Sequence, residues 1–259
     1  KNMDHSKVMI WCDRVMTFSI CALIYFIPIS IALVESFFGL ALLSFFIKGG
    51  TKFSLHRKVW AAEKRSPSAW AGIVTFLRSF KPIKSDLNWP IAIFILSGFL
   101  SIFVSQYKAL SLQGFFFKLL EWTFIYFIII DSVTTKRRLK ALVAVFVVSS
   151  TLATINGLVQ YLLGYEFIWG TALFSGRISS GFRHPNDFGG YAAVVCLFLY
   201  SFLWHYPGGG HDRFGPDRLK VRTIPGLALW RILFGILFIL ALFNLGGTYS
   251  RGAWVAFFV

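Results

Sequence analysis

The chain has 259 residues, of which 56% are hydrophobic, 19% aromatic and only 14% charged, and its formal net charge is +15. Soluble domains carry roughly 25% charged residues, so the composition excludes an ordinary soluble fold, and with it a disordered chain, a coiled coil or a disulfide scaffold. The basic residues sit in blocks between apolar runs, which is the pattern of a polytopic membrane protein rather than of a nucleic-acid-binding face.

A membrane span needs about 20 apolar residues. The first run, Val15 to Ile47, would reach about 50 Å as one helix, too far for a hydrocarbon core of about 30 Å. With Pro28 and Glu35 near its middle, it is read as a tight hairpin: a span over Val15–Leu33, then a short second span ending at Ile47. The basic segment 48–86 follows as a cytoplasmic loop. Its apolar patch Ala69–Leu77, flanked by Arg65 and Arg78, is expected to lie at the membrane surface as an amphipathic segment. Further spans are predicted over Leu87–Val104, Leu112–Ile130, Ala141–Leu163, Gly190–His205 and Leu227–Leu245, and an eighth begins at Gly252. The predicted fold is therefore all-α, a polytopic transmembrane helical bundle with seven complete spans and the start of an eighth, forming a single membrane domain over residues 1–259.

Cys12, Cys21 and Cys196 are an odd set and read as small hydrophobes, not as a disulfide or metal site. Gly208–Gly210 lacks the following Lys-Ser/Thr of a phosphate-binding loop and reads as a flexible turn.

Most of the 26 Lys and Arg residues fall on one side if the N-terminus is cytoplasmic: in the N-terminal tail and in segments 48–84, 136–140 and 213–231. That leaves Lys108, Lys118, Arg177, Arg183 and Arg251 on the outer side or within a span, where positive charge is disfavoured. Lys108 is read as solvated in a short turn. Lys118 and Glu121 lie one helical turn apart and are expected to pair.

The outer loop, residues 164–189, is the most informative stretch. Tyr165, Phe167, Trp169 and Phe174 suit the membrane interface. Arg177, Arg183, His184, Asn186 and Asp187 are packed among glycines, and His184-Pro185-Asn186 reads as a turn with Asn186 or Asp187 capping the sixth span. A second polar cluster, Asn244 to Arg251, ends the seventh span. Guanidinium groups pair bidentately with phosphate, and neighbouring glycines let backbone N–H groups approach the same anion. On a non-cytoplasmic face ATP does not fit as phosphate donor, whereas a lipid-linked diphosphate does. Arg177 and Arg251 are therefore the predicted diphosphate binders and catalytic residues, with Arg183 as a third, and His184, Asn186 and Ser250 beside them at the substrate.

Other readings of the same residues stand beside this one. An outward arginine also snorkels to lipid headgroups. His184 with Asp187 falls short of a metal set, and Ser250 has no visible base to make it a nucleophile. Glu35, Glu166 and Asp187 leave a two-carboxylate glycosidase as the weaker alternative. A transporter or anion carrier is the rival from another class, but transporters place polar residues at mid-membrane, and here the polar clusters gather at one face.

Three pieces of the sequence resemble the O-antigen ligase and O-antigen polymerase superfamily of bacterial envelope glycosyltransferases. They are Asn156-Gly-Leu-Val-Gln160-Tyr-Leu-Leu-Gly164, Arg177-Ile-Ser-Ser-Gly-Phe-Arg183-His-Pro-Asn186 with Gly190-Tyr191, and Thr248-Tyr-Ser250-Arg251-Gly-Ala-Trp. The resemblance covers most of the chain. It implies a GT-C-like bundle in the bacterial inner membrane, with its active face periplasmic. The implied reaction is a metal-independent, inverting transfer of a glycan from undecaprenyl diphosphate, without a cofactor. In ligases the acceptor is a hydroxyl of lipid A–core; in polymerases it is another lipid-linked glycan. The family arginines matching Arg177 and Arg251 are held to bind the diphosphate leaving group. Members also carry a large periplasmic loop, with a histidine near the acceptor, and last spans after the position matching 259; their absence here leads to the expectation of a truncated, inactive fragment.

Overall fold

The computed structural model describes residues 5–63, 71–72, 74–75, 79, 86–205 and 225–259. Among these the regular secondary structure is helical, with two isolated β-bridges in the loop between residues 164 and 184. Six helices are long and apolar enough to cross a membrane: α1 (His5–Phe26), α2 (Ile31–Ala62), α4 (Lys108–Ser132), α5 (Lys136–Leu163), α6 (Pro185–His205) and α7 (Pro225–Gly247). A shorter apolar helix, α3 (Asn88–Val104), has 17 residues, and α8 covers Arg251–Phe258. The protein is a multi-pass helical membrane protein.

The first apolar run is a hairpin, but its break lies earlier than the sequence suggested. Pro28 has no N–H to continue the helix, and the Phe26 carbonyl accepts from both Ile29 and Ser30 N–H at 2.9 Å, closing α1. Leu33 therefore belongs to the second helix. That helix does not stop at Ile47 either; it continues through Lys48 to Ala62, so the first part of the basic segment read as a loop is helical. Loss of hydropathy ends a membrane contact, whereas a helix ends only where its backbone hydrogen bonds do. The patch Ala69–Leu77 lies largely outside the described residues, and Gly208–Gly210 wholly so.

The chain divides into two compact units. In the first, residues 1–24 and 31–145, Met16, Ile20, Ala41, Phe45 and Ile128 form the apolar core. Charged residues of α1, α2 and α4 cluster around the buried Lys48. Lys48 Nζ lies 2.6 Å from Asp13 Oδ1 and 2.6 Å from Asp131 Oδ2, with Lys52 3.8 Å from the other Asp131 oxygen. The expected pairing of Lys118 with Glu121 does not form. Glu121 is buried while Lys118 is exposed. Lys118 lies in a π-helical stretch, Phe115–Leu119, with Leu120 N–H bonding to the Phe115 carbonyl; this wider turn comes just before Glu121 and changes the angle between the two side chains.

The second unit comprises residues 25–30 and 146–259. Here α6 and α7 pack through Val195, Cys196 and Leu199 against Leu237, Ala241 and Leu245, with Ala253 of α8 completing the cluster. Asn244 of α7 donates to the Thr154 carbonyl of α5 at 2.9 Å. The contact is possible because residue 157 is glycine: a Cβ there would lie 2.2 Å from Asn244 Oδ1. All three cysteines are free thiols.

The Lys48 cluster yields a stability test. Lys48→Met leaves two carboxylates facing one another without their shared cation, which costs about 3 kcal/mol. Thermal melts in detergent should show a clearly lower Tm for Lys48→Met, partly restored when Asp13→Asn and Asp131→Asn are added. An unchanged Tm for the single variant would refute the clamp.

Candidate functional site

The loop between α5 and α6 is organised around Glu166. Its carboxylate is completely buried, a costly placement unless every lone pair is used. Oε2 accepts from Asn156 Nδ2 at 2.9 Å and from Ile168 N–H at 2.7 Å. Oε1 accepts from Trp169 N–H at 2.7 Å and from the Thr171 N–H and hydroxyl at 3.2 and 3.1 Å. Burial by itself raises the Glu166 pKa; the donated hydrogen bonds from Asn156, Ile168, Thr171 and Trp169 outweigh it and hold the group below its ordinary value. Asn156 returns the arrangement by accepting Phe167 N–H through Oδ1 at 2.9 Å.

One helical turn further along α5, Gln160 serves the second half of the loop. Its Oε1 accepts from Ser179 and Ser180 N–H at 2.9 and 2.8 Å, and Nε2 donates to Ser179 Oγ and to the Thr171 and Ala172 carbonyls. Asn156 and Gln160 are both fully buried, and their spacing of four puts them on one face of α5. The indole of Trp169 donates to the Ile29 carbonyl at 2.8 Å. Gly181 comes so close to Pro28 that a Cβ would sit 2.2 Å from the Pro28 carbonyl oxygen.

This framework delivers Arg177. Phe174 and Arg177 exchange both backbone hydrogen bonds, at 3.1 and 3.0 Å, around Ser175 and Gly176, whose φ angles are +53° and +76°. Two consecutive positive φ values mark a tight hairpin turn, and Arg177 is the first residue after it. Ile178 N–H then bonds to the Gly247 carbonyl at 2.9 Å, and the buried Ile178 side chain covers Gly247, where a Cβ would lie 2.3 Å from Ile178 Cδ1. The Arg177 guanidinium is fixed twice: Nε donates to the Thr248 carbonyl and Nη2 to Asn186 Oδ1, each at 2.7 Å.

Arg177 faces a cleft of about 590 Å³ that Asn186, Gly190, Tyr249, Ser250 and Arg251 also line. Arg251 is the first residue of α8, and its exposed guanidinium bonds to no described residue. The N-terminus of α8, with its positive dipole end and unpaired N–H groups, opens on the same space. Arg177, Asn186, Ser250 and Arg251, spread over 75 positions of sequence, thus meet at one site. Arg183 and His184 are not part of its lining. Arg183 is exposed. His184 packs against Phe174, ring centroids 5.1 Å apart and planes tilted by 54°, and caps α6, its Nδ1 accepting Asn186 N–H at 3.2 Å.

That cap corrects the expectation for Asn186 and Asp187. The helix starts at Pro185, the favoured first helical position, so the cap falls to His184 and Asn186 is released to hold Arg177. Ser250 likewise has a structural task, since its Oγ accepts Ala253 N–H at 3.4 Å as the N-cap of α8. Among the described residues no three His, Cys, Asp or Glu side chains gather as a metal-ligand set.

Sequence reasoning missed Thr248, whose carbonyl fixes Arg177, because a backbone acceptor leaves no trace in residue type. It also passed over the buried role of Glu166. The available signal was the pair Asn156 and Gln160, two amides on one face of an apolar helix, which need polar partners. Comparison with protein-family models, with curated proteins and with solved structures finds no match to this chain.

The lowered pKa of Glu166 sets a pH test. A carboxyl whose folded pKa is depressed contributes stability that is fully present above its unfolded value of about 4.3 and is lost as pH falls through the lower folded value. Glu166→Gln should therefore cost about 2–3 kcal/mol near neutral pH, and the gap to wild type in Tm should shrink as the pH drops below about 4. A gap constant down to pH 3 would contradict the arrangement.

Proposed function

We propose that the chain is a membrane glycosyltransferase of the O-antigen ligase type, moving a glycan from undecaprenyl diphosphate to an acceptor hydroxyl such as that of lipid A–core. The observation that carries this reading is the shared cleft of Arg177 and Arg251, one guanidinium held by Thr248 and Asn186 and the other bonded to no described residue. With Nε and one Nη2 hydrogen engaged, Arg177 still offers both Nη1 hydrogens and the second on Nη2. Together with Arg251 and the N-terminus of α8, these donors suit an anion with oxygens on two adjacent phosphorus atoms. In a transfer from a lipid diphosphate the acceptor hydroxyl oxygen attacks the sugar carbon from the face opposite the leaving group and gives up its proton to water, while the sugar–oxygen bond breaks and its electron pair leaves on the diphosphate. Donors fixed before the reaction stabilise that developing charge without reorganising.

In this reading α3 spans as well, its 17 residues lying at the lower limit of about 17. The count is then seven complete spans with α8 opening an eighth, in a GT-C-like bundle of the bacterial inner membrane. The N-terminus is cytoplasmic and the cleft periplasmic, as the distribution of Lys and Arg favours.

Transfer by the full-length protein, in cells or proteoliposomes, provides the test. Arg177→Ala and Arg251→Ala should each lower transfer by about 100-fold or more, while expression and membrane insertion stay at wild-type level. Near-wild-type transfer by both variants would refute the site. Supplying lipid A–core or only lipid-linked repeats as acceptor separates ligation from polymerisation. Net solute flux into proteoliposomes without any glycosyl transfer would replace the enzyme reading with a carrier.

A further inference from the structure

Lys118 is a cation in the middle of an apolar helix. It lies about 15 Å along α4 from Lys108, is exposed, and makes no ion pair with a described residue. Glu121 lies within its electrostatic reach but is turned inward and buried. An ammonium placed there is costly in lipid unless it meets an anion. Helical side chains tilt toward the N-terminus of their helix, so the four-carbon stem of Lys118 leads its charge toward the Lys108 end and the lipid headgroups.

Beneath that charge is a built groove. Gly114, Lys118, Trp122 and Tyr126 recur every four residues and form one wall on α4; Phe94 and Ile91 of α3 form the other, around a space of about 430 Å³. The two helices close tightly beside it at Gly98, where a Cβ would lie 2.6 Å from Leu119 Cδ1. From Gly114 to Tyr126 the groove wall rises about 18 Å, close to the depth of one leaflet of a hydrocarbon core about 30 Å thick. Apart from Lys118, the Thr123 and Tyr126 hydroxyls and the Trp122 indole N–H, the side chains lining it are apolar.

We propose that this groove binds one anionic phospholipid, with an acyl chain between α3 and α4 and the headgroup phosphate on Lys118. Charge complementarity fixes the choice of occupant. The groove holds a cation and no carboxylate, and in a lipid surrounding the anion that reaches it is a headgroup phosphate. A net-negative lipid is preferred to a zwitterionic one because the latter carries its own ammonium. The site lies within the first unit and is independent of the Arg177 cleft in its residues.

Native mass spectrometry of the detergent-purified chain, titrated with phosphatidylglycerol or with phosphatidylethanolamine, tests the proposal. The expected result is a single retained phosphatidylglycerol, bound at least fivefold more tightly than phosphatidylethanolamine. Lys118→Gln should erase that preference and Lys118→Arg should keep it. Thr123→Trp, which fills the groove, should weaken both lipids, and Lys108→Gln, outside the groove, should change neither. All three positions are solvent- or lipid-accessible or lie at the groove edge, and an unchanged circular-dichroism melt confirms folding of each of the four variants. Equal binding of the two lipids by wild type, retention of the preference in Lys118→Gln, or its loss in Lys108→Gln would each overturn the assignment.

Discussion

A fully buried carboxylate has no access to water, so the loop that carries Glu166 must supply its solvation from protein donors. Three backbone N–H groups, a hydroxyl and the Asn156 amide do so. The loop donors that Glu166 recruits fix residues 168, 169 and 171, and the amides of Asn156 and Gln160 on α5 extend the same constraint to 180. The loop therefore has little freedom to place Arg177 anywhere but over Thr248. Its Ser175 and Ser180 adopt φ of +53° and +51°, a backbone conformation that costs non-glycine residues energy and persists because the surrounding hydrogen bonds over-determine it. The order of dependence runs from Glu166 and Gln160 to the hairpin turn, and from there to the guanidinium.

The two units reveal a common device used to different ends. In the first, Lys48 gathers Asp13 and Asp131 from three helices. In the second, Asn244 ties α7 to α5 and Gln160 ties α5 to its loop. Apolar packing between helices in lipid lacks the driving force it has in water, so interhelical polar contacts and small residues set the register. Gly157 beneath Asn244 and Gly98 beneath Leu119 are the small residues that permit those approaches.

Hydropathy made the helices legible, because a lipid surrounding enforces long apolar runs and closed backbone hydrogen bonding. It misplaced ends for the same reason: Lys48 marks a change of surroundings, yet the backbone ladder of α2 runs on to Ala62. The hairpin was readable from run length and Pro28, but the position of its turn depended on which carbonyl capped α1. Arg177 and Arg251 were legible as cations out of place, and the sequence reading put both on one anion. The contacts that bring Arg177 there were not legible, since they rest on the Thr248 carbonyl and on a cap exchanged between Asn186 and His184. Pro185 held the correcting signal: proline belongs at the first helical position, which puts the cap at the residue before it.

The two arginines of the cleft differ in a way that bears on any anion bound there. Arg177 has already lost its rotamer freedom to Thr248 and Asn186, so an arriving ligand need not order it, and its free N–H edge is presented in a fixed plane. Arg251 starts a helix and is exposed, so its long side chain is free to follow the ligand at an entropic cost on binding. A fixed donor discriminates by geometry, while a mobile one tolerates variation in what is attached to the anion. Asn186 is central to the first role because, as a neutral acceptor, it orients Arg177 without neutralising it; a carboxylate at that position would orient equally well and cancel the charge the cleft offers.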